Sequence, residues 1–157
     1  MFRDALSHLG DRPQVLVVGC GDGRWIDEIS GFARVTAIDV SENIVTELKK
    51  RQHAPETIIE VQDAHKLPYR NESFDAVIAN SVLHHLDLQT AFLEFVRVLK
   101  VGGRLIAAEP NRNNPQVRIM YRHKKSRLKY DLTADEEAFT KSQIRAQLRP
   151  YFQRFEV

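Results

Sequence analysis

The sequence predicts a single α/β domain built on a doubly wound, mostly parallel sheet. Three observations predict it. Through the first two thirds of the 157-residue chain, short apolar runs alternate with segments of helical period, the pattern of strand, crossover helix, strand. The runs are continuous rather than alternating, as strands covered on both faces must be; Phe74 to Ala79 is almost wholly apolar after Asp75. A glycine-rich turn, Gly19-Cys20-Gly21-Asp22-Gly23, joins the first run to the first helical segment.

The elements follow in order. Gln14 to Val18 reads as a buried strand that stops at Gly19. Arg24 to Ser30 is a short helix using Trp25, Ile26 and Ile29, with Gly31 as its stop. Val35 to Asp39 is the second strand. Ser41 caps the next helix, where Ile44, Val45 and Leu48 share a face and Lys49, Lys50 and Arg51 suit the C-terminal dipole. Thr57 to Val61 and Phe74 to Ala79 are the third and fourth strands. Leu88, Phe92, Phe95, Val96 and Leu99 make one helical stripe, which Gly102 and Gly103 end, and Arg104 to Ala108 is the fifth strand.

Beyond Pro110 the pattern changes. From Asn111 to Tyr130 there are seven Lys or Arg residues (Arg112, Arg118, Arg122, Lys124, Lys125, Arg127 and Lys129) and no Asp or Glu. Asp131, Asp135, Glu136 and Glu137 follow, then a helix from Lys141 to Leu148 broken by Pro150, and a strand beginning at Phe152 and running to Val157. The basic stretch reads either as a surface for an anionic acceptor, a lipid headgroup or a nucleic acid, or as a solvated helix balanced by the acids after it.

Bulk properties narrow the class. The length suits one domain and is short for two. With 43% hydrophobic and 28% charged residues and a net charge of +2, the composition is that of an ordinary globular protein and selects no partner. No run is long and apolar enough to span a bilayer, and Met1 to Gly10 carries no signal-peptide stretch. A single cysteine, Cys20, excludes an intramolecular disulfide framework, so the expected setting is the reducing cytoplasm.

The chemistry sits at the ends of the strands. The turn after the first strand has the spacing G-x-G-x-G, not the G-x-G-x-x-G of dinucleotide folds, because position 24 is Arg24. Such a loop suits a ligand with no phosphate to cradle; its plainer reading is a tight strand-to-helix turn. Asp39 ends the second strand, where a carboxylate accepts both ribose hydroxyls of a nucleoside, or serves only as a helix cap. Asp63 follows the third strand and offers an acceptor for an exocyclic adenine amine; Asn80 ends the fourth. Gly19, Asp39, Asp63 and Asn80 thus meet at one sheet edge, where open α/β sheets bind ligands.

The series VLVVGCGDG, AIDVS, QDAHKLPY, FDAVIANSVLHHL and RVLKVGGRLIAAEP resembles the class I, Rossmann-like S-adenosylmethionine-dependent methyltransferases, especially their small-molecule branch. The resemblance spans Gln14 to Pro110. It implies that Gly19, Cys20 and Gly21 pass under S-adenosyl-L-methionine, that Asp39 holds the ribose with Val40 beside it, that Asp63 and Ala64 meet the adenine, and that Asn80 faces the methionine moiety through its main chain. One departure stands out: many members carry an acid two positions before the first glycine, and this chain has Val17. The family sheet finishes with an antiparallel hairpin, which this chain enters only at Phe152 to Val157. A truncated hairpin leaves the edge beside the fifth strand uncovered, where a second copy could pair.

Residues 1–157 are therefore read as one domain, with 1–110 the cofactor-binding core and 111–157 a lid or insertion with the incomplete C-terminal part. His84 and His85, just past the fourth strand, are the candidate catalytic residues: imidazole can act as a base near neutrality, and the plainer reading is pocket wall or helix start. Adjacent residues do not share a face, so no metal site is expected. Cys20 reads as loop filling and Trp25 as packing. The stretch Asn80-Ser81-Val82-Leu83 lacks the Asn-Pro-Pro-Tyr of adenine-amino methyltransferases, and nucleic acid is not the expected acceptor. The leading function is methyl transfer to a small-molecule or lipid- or glycan-linked acceptor. The alternatives are an inactive methyltransferase-like scaffold and a nicotinamide-dependent oxidoreductase.

Overall fold

The computed structural model describes residues 2–122 and 138–153. The chain runs α1 (Phe2–Leu6), β1 (Gln14–Val18), α2 (Arg24–Ile29), β2 (Arg34–Asp39), α3 (Glu42–Lys49), β3 (Ile58–Val61), β4 (Phe74–Asn80), a 3-10 turn (Leu83–His85), α4 (Leu88–Val98), β5 (Leu99–Ala108), α5 (Pro115–Arg122) and α6 (Lys141–Leu148). The strands form one sheet in the order β3-β2-β1-β4-β5, with every pairing parallel. Successive strands step outward from β1 to β3, and the chain then returns to the other side of β1 to lay down β4. The order therefore reverses between β1 and β4, which opens a crevice at their carboxyl ends.

Both faces of the sheet are covered, which explains the continuous apolar runs. Val15 and Val17 of β1 and Ala76 and Ile78 of β4 pack with Leu6, Ile26, Ile29, Val45 and Leu48 from α1, α2 and α3. Their neighbours Leu16, Val18, Val77 and Ala79 point the other way, onto Leu88, Ala91, Phe92, Phe95 and Val98 of α4. Phe92 is fully buried, and Tyr151 and Phe152 meet its ring edge-on at 5.6 and 6.1 Å. Truncating such a ring typically costs about 3–5 kcal/mol, so Phe92 anchors the segment after α6 to the core.

Most predicted elements form within a residue of their expected bounds. Ser41 caps α3 through Ile44 N–H, and Trp25 packs at the margin of the first core cluster. Three expectations are corrected. The α4 stripe runs through Ala91 and Val98, while Val96 is 42% exposed and Leu99 already begins β5. Gly102 and Gly103 do not end the helix; they lie inside β5, where the register with β4 shifts between Phe74 and Ala76. A Cβ on Gly103 would meet the carbonyl oxygens of Lys100 and Asp75 at 2.9 and 3.0 Å, so this bulge needs the missing side chain. Phe152 and Gln153 are not in a strand, and 154–157, where that strand was expected to run, lie outside the described residues. So do Lys124, Lys125, Arg127 and Lys129 of the basic stretch and the acids Asp131, Asp135, Glu136 and Glu137.

Among the described residues β5 pairs only with β4 and forms the sheet edge. No described helix is long and apolar enough to cross a membrane.

Candidate active site

The glycine turn is built by backbone bonds across strand ends. Cys20 N–H donates to Ile38 O at 3.0 Å, and Gly21 N–H donates to Asp39 Oδ2 at 3.2 Å. Asp39 Oδ1 accepts Ser41 N–H at 3.0 Å. One carboxylate thus ties the turn after β1 to the end of β2, and each of its oxygens keeps a lone pair for a further donor. Gly19 lies at φ +65, and a Cβ there would strike Val82 Cγ2 at 2.5 Å. Gly21, at φ +50, has nothing within 4 Å of the same construction, so the turn is open on that side. Cys20 is buried, and burial, reinforced by the Asp39 charge, pushes its thiol up to about 12. A thiol held neutral in this way is no nucleophile near neutrality.

The next strand ends extend the same edge. Gln62 N–H donates to Asp39 O at 3.0 Å, which carries the chain from β3 past β2. Asp63 Oδ1 accepts His65 N–H at 2.9 Å and His65 Nδ1 at 2.6 Å. These donors, the backbone amide first, hold the Asp63 carboxyl below the usual carboxylate range. His65 Nε2 in turn accepts Asp87 N–H at 3.0 Å, so its hydrogen sits on Nδ1 and the ring joins the loop after β3 to the start of α4. Ala64 is buried, whereas Val40 is 75% exposed, an apolar surface beside the Asp39 carboxylate.

Asn80 ends β4 level with the glycine turn, because Val18 of β1 pairs with Ala79. Ser81 follows in the left-handed region at φ +53, its N–H donating to Ala108 O at 2.8 Å. His84 does not open toward solvent: its side chain is 6% exposed, and Nδ1 lies 2.5 Å from Glu109 Oε2. His85 is exposed and its ring lies tilted 4.1 Å from that of His84. The structure therefore brings Gly19, Cys20, Gly21, Val40, Asp39, Asp63, Ala64 and Asn80 to one edge and separates the two histidines into a buried and an exposed partner.

Sequence reasoning missed Glu109 and His65. Glu109 directly follows β5, much as Asp39 ends β2, so the same strand-end rule selects it; its partners, more than twenty residues away in sequence, were not readable. A separate cleft of about 840 Å³ runs along β5, lined by residues from Gly103 to Asn111 with Phe139, Ile144, Leu148 and Phe152. It shares Leu83 and Glu109 with the site but follows the length of an edge strand, away from the glycine turn and Asp39.

The family model of the methyltransferase domain matches residues 16–107, more than half of the chain. The chain belongs to the class I methyltransferases. It shares 35% identity over 113 residues with the ubiquinone/menaquinone biosynthesis C-methyltransferase UbiE of Desulfotalea psychrophila, covering 68% of this chain and 46% of that protein. It is 27% identical over 157 residues to the malonyl-[acyl-carrier protein] O-methyltransferase of Bacillus cytotoxicus, covering 92% and 55%. A solved S-adenosylmethionine-dependent methyltransferase of Methanosarcina mazei superposes with a TM-score of 0.72 at 20% identity, over 96% of this chain and 84% of that one, a likeness of fold. The chain spans 33% to 46% of the length of the first curated relatives it matches.

The cofactor of the class I methyltransferases is S-adenosyl-L-methionine, and the residues present fit it. Asp39 and Asp63 supply acceptors and no cation, as ribose hydroxyls and an adenine amine require. Gly21 is open for close approach, and Val40 offers an apolar surface to a ring. Val17, at the position of the family's usual acid, is buried in the first core cluster, and among the described residues Asp39 is the carboxylate that bonds a glycine of the turn.

Proposed function

We propose that this domain transfers a methyl group from S-adenosyl-L-methionine to a small-molecule or lipid- or glycan-linked acceptor in the cytoplasm. The observation that carries the reading is the Asp39 carboxylate at the end of β2, bonded to Gly21 N–H of the glycine turn. When bound, the cofactor supplies a methyl already activated on a sulfonium, so the protein's task is alignment.

In this reading Asp39 accepts the ribose hydroxyls with the lone pairs that Gly21 and Ser41 leave over. Val40, Asp63 and Ala64 flank the adenine, and the main chain of Gly19, Cys20, Gly21 and Asn80 lines the methionine end. His85, the exposed member of the pair, takes the proton from an acceptor hydroxyl or ammonium, while His84 forms the wall behind it. Residues 1–110 act as the cofactor core and 111–157 as the part that shapes the acceptor side. The relatives' names speak of both C- and O-methylation, so the acceptor class is kept broad.

Calorimetry with S-adenosylhomocysteine, run beside NADH, tests the proposal. Micromolar binding, on the order of −8 kcal/mol, that disappears in Asp39→Ala is the expected result. Binding of NADH instead would favour the oxidoreductase reading, and binding of neither would favour a scaffold that kept the fold without its site.

A further inference from the structure

We infer that Glu109 is the positioning residue of the loop after β4 that packs on the glycine turn, a role that rests on the methyltransferase reading and deepens it. Glu109 follows β5 directly. Its Oε1 accepts Val82 N–H and Leu83 N–H, each at 2.8 Å, and its Oε2 faces His84 Nδ1 at 2.5 Å. The two side chains are 8% and 6% exposed. Among the described residues two backbone donors and a histidine ring nitrogen meet this buried group, an arrangement that suits a carboxylate.

The consequences run in two directions. A carboxylate brings no hydrogen to the contact, so the hydrogen between them belongs to His84 Nδ1. The same carboxylate fixes the backbone of Val82 and Leu83 directly after Ser81, the residue held in the left-handed region. Val82 is the side chain against which Gly19 packs so closely that a Cβ there would lie 2.5 Å away. Glu109 thus grips the loop after β4 by its main chain and, through Val82, sets how closely that loop packs on the glycine turn. That contact lies at the carboxyl ends of β1 and β4, where the strand order reverses. Site geometry of this kind is held by the groups behind it, and a displacement of about 1 Å can cost 100-fold in rate.

Glu109→Gln and Glu109→Ala separate the two effects. In Glu109→Gln the amide oxygen keeps both backbone donors, but the amide NH2 now faces His84 and drives its hydrogen to Nε2. Histidine ¹⁵N spectra of the cofactor-free protein should therefore show the Nδ1–H form of His84 in the wild type and the Nε2–H form in Glu109→Gln. Glu109→Ala releases the loop as well; its Gly19 amide resonance should move, and its affinity for S-adenosylhomocysteine should fall by about tenfold or more, with Glu109→Gln close to wild type. An unchanged His84 tautomer in Glu109→Gln, or an unchanged Gly19 resonance in Glu109→Ala, would overturn the inference. If the wild type binds no S-adenosylhomocysteine, the methyltransferase reading fails on its own, and the tautomer and the Gly19 resonance still decide the role of Glu109.

Discussion

Two glycines separated by one residue of the turn, Gly19 and Gly21, meet different surroundings, and the difference is measurable. Gly19 combines φ +65 with a Cβ position only 2.5 Å from Val82 Cγ2, whereas Gly21 has φ +50 and open space. A left-handed backbone costs an alanine about 1–2 kcal/mol, and overpacking adds about 1–3 kcal/mol where the neighbour cannot retreat. Val82 cannot easily retreat, because Glu109 holds its N–H. Gly19→Ala should therefore lose about 2–5 kcal/mol in urea unfolding, and Gly21→Ala only the backbone share. Binding should show the reverse economy: Gly21→Ala, whose methyl enters the open side of the turn, should weaken S-adenosylhomocysteine more than its stability loss suggests. Equal stability losses for the two variants would mean that the Val82 contact does not constrain the turn.

At the scale of elements, α4 does more than cover the sheet. Glu94 Oε2 accepts Leu67 N–H at 2.7 Å, and Arg97 donates to Leu67 O, Tyr69 O and Glu94 itself, so one helix face clamps the loop that follows Asp63. The Arg97 guanidinium, followed by Leu67 N–H, holds the Glu94 carboxyl below its usual value. A carboxyl with a depressed folded pKa gives stability that is present above its unfolded value, about 4.3, and is lost as pH falls through the folded value. Glu94→Gln should accordingly be less stable than wild type at pH 7, by about 1–2 kcal/mol, and the gap should close as pH drops below about 4. A gap with no dependence on pH in acid would assign the effect to packing. The α4 stripe was legible because helical period survives burial, yet Val96 and Val98 exchanged roles, since both fit a stripe whose centre only the packing partner fixes. Gly102-Gly103 misled for a related reason: glycine pairs signal helix ends and strand bulges alike, and the register shift with β4 that chooses between them is tertiary. The site divides in the same way. Asp39 and the glycine turn could be read because strand ends are local features. The capture of His84 by Glu109 could not, because it joins residues that only the pairing of β4 with β5 brings together.

Across the whole molecule, the residues proposed for the cofactor are distributed over separate strands: Gly19 follows β1, Asp39 ends β2, Asp63 follows β3 and Asn80 ends β4. The order β3-β2-β1-β4-β5 places them on both sides of the point where the chain reverses direction across the sheet. A ligand bound there contacts both winding halves at once and has no equivalent site on the unfolded chain, so its binding energy adds to the stability of the entire domain. At a concentration of 100 times its dissociation constant, S-adenosylhomocysteine should contribute about 2.7 kcal/mol. For a domain of this size that corresponds to a rise in Tm of roughly 5–10 °C. Thermal unfolding followed by circular dichroism, with and without ligand, measures it. The rise should vanish in Asp39→Ala, which removes the bond between β2 and the turn, and NADH at the same concentration should leave Tm where it was. A rise that survives in Asp39→Ala would move the ligand away from this crevice, and the assignment of the strand ends as one site would fall with it.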